Sequence, residues 1–177
     1  MCIRDRDRLI LANDLADHSA LATLRHIIET RKLIASATSV RGEVSVVSLT
    51  AVPLQELERL RVFRPHRGRW DFEPYGICIR RSALIAAGAR AVGYATDEDW
   101  QELPEEDQPF FQLAKSTTRS GNELDWTVEQ EWRHIGDVDL DSLDREDVWV
   151  FVPTSEEAER LRDVSPWPVI TLSDSLP

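Results

Sequence analysis

The run GEVSVVSLTAV, residues 42–52, is rich in β-branched residues and bounded by Gly42 and Pro53. Such a run reads as a strand, and as one from the middle of a sheet. A second run, DVWVFVP from Asp147 to Pro153, is a strand without ambiguity. The chain is therefore expected to fold around a sheet, and the other segments are read for what can pair with these two strands or pack against them.

Three further strands follow from alternation and flanking turn residues: YGICIR (75–80), ARAVGY (89–94) and PVITL (168–172). WTVEQEWRHI fits either a strand over 126–133 or a helix starting at Thr127 with Gln130 three residues on. The strand is the preferred reading.

Helical spacing of Leu21, Leu24, Ile27 and Ile28 predicts a helix from Asp17, its cap, to about Ile34. PLQELERL starts a short helix at Pro53, and SALIAAG ends one at Gly88. TSEEAERLRDV opens on a Thr154/Glu157 capping box. The arginine run 59–69 reads as a loop, and DEDWQELPEED (97–107) as a helix or extended segment. KSTTRSGNE is a polar loop expected to be mobile. These elements predict an α+β fold: a single domain with a mixed central sheet and short flanking helices.

The 177 residues, 42% hydrophobic and 30% charged, suit one domain with a proper core. The opening MCIRDR resembles neither strand, amphipathic helix nor signal peptide. It reads as a translated transposon end used in sequencing-library preparation. Residues 1–8 are thus expected to be a scar or a disordered tail, and the domain is expected to span 9–177 with its true N-terminus missing. An ordinary charged tail is the alternative.

Cys2 and Cys78 provide no disulfide framework, and the four histidines show no zinc spacing. A phosphate loop and a nucleophile elbow are also lacking. A cytoplasmic bacterial protein is expected, with neither a membrane span nor a metal.

The net charge of −11 argues against general nucleic-acid binding. Within it, RLRVFRPHRGRW (59–70) carries five arginines and DEDWQELPEED carries seven acids. A local basic patch of this kind suits a small anionic ligand, unless the two segments simply face each other or the solvent.

The segments RWDFEPYGICIRRSALIAAGARAVGY and DWTVEQEWRH carry the chemistry. Their Tyr-Gly-Ile strand, Gly-Ala helix end, strand ending in Tyr and Glu-x-Glu-Trp-Arg resemble the abortive-infection phage-resistance proteins of the AbiGi type, over roughly Val44 to Arg133. The matching positions are Tyr75, Gly76, Gly88, Ala89, Tyr94, Glu129, Glu131, Trp132 and Arg133. The resemblance implies a cytoplasmic defence protein and no defined reaction.

On a strand, Glu129 and Glu131 would point the same way. ADP-ribosyltransferases are similar in using a Glu-x-Glu strand to stabilise an oxocarbenium-like transition state and orient the acceptor. That likeness implies Glu131 as catalytic and Glu129 as its assistant. Ser48 or Thr50 would support the ribose site, and Trp70 or Tyr75 would stack on nicotinamide. Arg67 or Arg69 would face the pyrophosphate, with Arg133 completing an NAD site. The same residues also fit a salt-bridged face, packed tryptophans and ordinary strand positions.

Two functions follow: an NAD-using, ADP-ribosyltransferase-like enzyme, or a non-catalytic regulatory or antitoxin-type module that binds a protein partner, its acidic surface docking a basic one. A concave pocket holding both glutamates, an aromatic and an arginine would favour the first. An exposed apolar patch would favour the second.

Overall fold

In the computed structural model, which describes residues 19–37, 40–64, 69–117, 121 and 123–174, Val148–Val152 is buried at all five positions. An apolar run of this kind needs cover on both faces and a partner on both edges, and those requirements organise the fold around it.

In chain order the elements are α1 (Ala20–Thr30), β1 (Lys32–Leu33), β2 (Val46–Thr50), β3 (Val62–Arg64), β4 (Arg69–Asp71), β5 (Gly76–Ile79) and α2 (Arg81–Ala86). Next come β6 (Arg90–Ala91), β7 (Gly93–Ala95), α3 (Asp97–Glu102), β8 (Phe111–Leu113), β9 (Lys115–Thr117) and β10 (Glu123–Asp125). The last are β11 (Glu131–Ile135), β12 (Val138–Asp139), β13 (Val148–Val152), α4 (Ser155–Arg162) and β14 (Val169–Thr171).

The chain is mixed helix and strand, as expected, but the expected single central sheet is corrected. Strands β2–β11–β6 form one three-stranded sheet and β14–β13–β5 another, with two-stranded ribbons around them. β13 runs parallel to β14 and antiparallel to β5. Its alternation sends Val148, Val150 and Val152 into the main core with Leu24, Ile28, Leu49 and Leu161. Phe151 points the other way, into a second cluster with Leu54, Leu57 and Phe72. Gly76 lies opposite Phe151 in the register, where an added Cβ would meet the ring at 2.7 Å. Among the described residues no helix is long and apolar enough to cross a membrane.

Several boundaries move for local reasons. α1 is capped by Ser19, whose hydroxyl accepts from the Ala22 N–H at 3.1 Å. Asp17 lies outside the described residues, as do residues 1–8. The Pro53 segment is a 3-10 helix over Leu54–Leu60. The strand expected at 89–94 breaks at Val92: β6 pairs with β11, while β7 pairs in parallel with β8. Only the first part of the acidic run is helix, α3, opened by a capping box between Thr96 and Asp99, and residues 105–107 form a turn. Part of the KSTTRSGNE loop is strand β9, paired with β10, and its residues 118–120 and 122 lie outside the described residues.

Two corrections bear on function. The arginine run is a β-hairpin and not a plain loop: β3 and β4 pair antiparallel, with Phe63 directly opposite Trp70. The strand expected over 126–133 begins only at Glu131, because Thr127–Glu129 is a 3-10 turn and Gln130 adopts a left-handed conformation, φ 45°. The Asp125 carboxylate accepts from both the N–H and the hydroxyl of Thr127, which starts the turn.

Candidate functional site

Since the strand starts at Glu131, the glutamate two residues earlier does not share its pleat. Glu129 sits on the preceding turn, and its carbonyl accepts the Thr50 hydroxyl at 2.6 Å. Glu131 and Arg133, two apart on β11, do point the same way. The Arg133 guanidinium is fully buried, and its Nε and Nη2 donate to the two Glu131 oxygens at 3.0 and 2.9 Å. Nη1 donates to the Pro109 and Phe111 carbonyls at 2.8 and 2.7 Å, and Nη2 also donates to Gln112 Oε1 at 3.0 Å. All five N–H donors of the arginine are thereby used.

The bidentate pair clamps β11 onto segment 109–112. That segment is held from outside as well: Arg90 lies 4.3 Å from the Phe110 ring centre and bonds Asp107 at 2.7 Å. Glu131, 5% exposed, is closed to solvent. Its N–H donates to the Tyr94 hydroxyl at 2.7 Å. Burial pushes the Tyr94 hydroxyl pKa above its ordinary value, while that hydrogen bond works against the shift.

Of the other expected site residues, only Ser48 and Thr50 lie beside this pair. Ser48 is buried on β2, opposite Arg133 in the register. Thr50 is opposite Glu131, its hydroxyl donating to Glu129 and accepting from the Val52 N–H at 3.1 Å. Trp70 is 42% exposed on the hairpin. The Tyr75 hydroxyl donates to Glu157 Oε1 at 2.7 Å. Arg67 and the Arg69 side chain lie outside the described residues.

One cavity of about 210 Å³ includes Thr50 in its wall, and a second of about 280 Å³ includes Arg61, Glu58 and Glu73. Neither is lined by Glu129, Glu131 or Arg133. The described groups therefore do not assemble the NAD site that the spacing suggested, because Arg133 and Glu157 already engage the groups that would face it. Among the described residues no cluster of His, Cys, Asp and Glu could hold a metal ion.

What the arginine run does build is a surface that sequence reasoning missed. Phe63 and Trp70 meet edge to face, ring centres 5.4 Å apart, and are 45% and 42% exposed. Arg61 lies over the Trp70 ring at 4.8 Å and 3.6 Å from the Glu73 carboxylate. Val62, on the opposite face of β3, is also exposed. The signal was available: Phe63 and Trp70 sit symmetrically about the four-residue connection 65–68, but the arginines around them mask the strand pattern. The arginine and acidic runs do not pair with each other through the described side chains. Arg59 and Arg61 pair with Glu56 and Glu73, while Asp97 and Asp107 pair with Arg41 and Arg90.

Tyr75 and Tyr94 are the chain's only tyrosines, so an absorbance titration reports these two alone. Burial first, and then the hydrogen bond to Glu157, push Tyr75 up to about 12. A raised folded-state value means that the stabilisation is complete below the ordinary tyrosine range near 10 and is lost as pH rises through about 12. Native protein should therefore show one tyrosine ionisation step displaced to about 12. Glu157→Gln should bring one of the two steps down; an unshifted profile would contradict the Tyr75–Glu157 contact.

The class that fold and site define is a small α+β chain with several small sheets, a buried arginine–glutamate clamp and an exposed aromatic hairpin. Compared with family models, curated proteins and solved structures, it gives no match.

Proposed function

We propose that this chain is a non-catalytic binding module, of the kind that serves as the regulatory partner in a bacterial defence pair, and that it docks another protein through the β3–β4 hairpin. The observation that carries the reading is the exposed Phe63–Trp70 pair with Arg61 on its flank. Tryptophan and arginine dominate the binding energy of interfaces, and an exposed aromatic pair loses little conformational freedom when covered. Arg61 on that flank suits a partner that sets a carboxylate beside an apolar anchor.

The enzyme reading needs a carboxylate open to a ligand. Glu131 is buried with both oxygens on Arg133, which favours the module. The phage-defence setting rests on the resemblance in the Tyr75–Arg133 motifs.

The test is a partner recovered on the full chain, identified, and titrated against variants. Trp70→Ala should weaken binding by at least about 2 kcal/mol, some thirtyfold, while the urea midpoint stays near wild type. Release of nicotinamide from NAD by the wild-type chain, abolished in Glu131→Gln, would reject the module in favour of the enzyme.

A further inference from the structure

The cavity of about 210 Å³ is lined by residues of both core clusters. Leu49, Ile77, Leu84, Trp132 and Phe151 are among the residues of its wall, with Cys78 and Thr50. An apolar cavity of roughly 150 Å³ is large enough to take a benzene ring. This one has room for a ring and one further small group.

Its wall includes one cation, Arg81, the first residue of α2. Arg81 lies 5.8 Å from the Trp132 ring and, among the described residues, has no carboxylate within 4.0 Å. The neighbouring Arg80, in contrast, is paired with Asp147 at 2.5 Å. Thr50 is already engaged as both donor and acceptor. The charged donors in the wall are therefore those of Arg81 alone, and a planar guanidinium matches a carboxylate.

We propose that this cavity binds a small apolar monocarboxylate, with an aromatic or branched aliphatic body of about nine non-hydrogen atoms in all, its body between Leu84, Trp132 and Phe151 and its carboxylate on Arg81. The site is separate from the hairpin and does not depend on the function proposed for it.

Benzoate is the probe, toluene its neutral counterpart, and Cys78 the reporter, with Cys2→Ser in the full chain so that a single thiol remains. Benzoate should raise the melting temperature saturably and slow alkylation of Cys78 by iodoacetamide. Arg81→Gln, a change at an exposed helix start, should weaken benzoate about tenfold while leaving the fold and any toluene effect unchanged. Equal benzoate affinity in wild type and Arg81→Gln, or stabilisation by toluene matching that by benzoate, would overturn the anion assignment. No saturable benzoate effect on either readout would overturn the site itself.

Discussion

Arg133→Met should destabilise the protein by about 3–5 kcal/mol, read as a lowered urea midpoint. The substitution leaves the Glu131 carboxylate buried without the cation that neutralises it, and takes donors from the Pro109 and Phe111 carbonyls and from Gln112. Losing one partner of a buried pair is costly because the other charge remains in a medium that solvates it poorly. Glu131→Gln should shift the midpoint in the same direction, since it leaves a buried guanidinium with neutral acceptors only. Replacing both together, as Arg133→Met with Glu131→Leu, should recover much of the loss, because no lone charge is left behind. This series separates structure from catalysis. Glu131→Gln with wild-type stability and abolished NAD turnover would return Glu131 to the catalytic role that its spacing first suggested.

Phe151→Ala should cost about 3–5 kcal/mol, because the ring fills the second core cluster and closes the inner wall of the 210 Å³ cavity. Gly76→Ala should cost about 1–3 kcal/mol for the opposite reason. Its new Cβ would be driven against the same ring, 2.7 Å away in the present packing. The two changes should be strongly non-additive. With the ring gone, the methyl of Gly76→Ala meets open space, so the double variant should be about as stable as Phe151→Ala alone. A double-mutant cycle by urea denaturation checks this. Strict additivity would mean that the Gly76 penalty lies in the backbone and not in its contact with Phe151.

How far the sequence could be read depends on how local each determinant is. β13 was legible because five apolar residues in a row leave no other use for the segment. The start of α4 was legible because Thr154 and Glu157 complete their contact within one turn, the Glu157 N–H donating to the threonine hydroxyl at 3.3 Å. The buried face of α1 followed from the spacing of Leu24, Ile27 and Ile28.

The hairpin was not legible, since each strand is three residues long and rich in arginine. Its stabilising contact, Phe63 with Trp70, forms only once the two strands pair. The fate of the Glu-x-Glu pair was also decided at a distance. The carbonyl of Glu129 is taken by Thr50 and that of Gln130 by the Ala51 N–H, which holds the turn that ends at left-handed Gln130. Nothing in WTVEQEWRHI marks that break. Arg133 likewise could be read as an open anion-binding group until the fold carried segment 109–112 over it and occupied its donors. Sequence alone determined that β13 and one face of α1 must be covered and where α4 begins, because solvation and capping act within a few residues. Only the tertiary structure decided which charges face solvent, because a charge's environment is set by whatever distant segment packs against it.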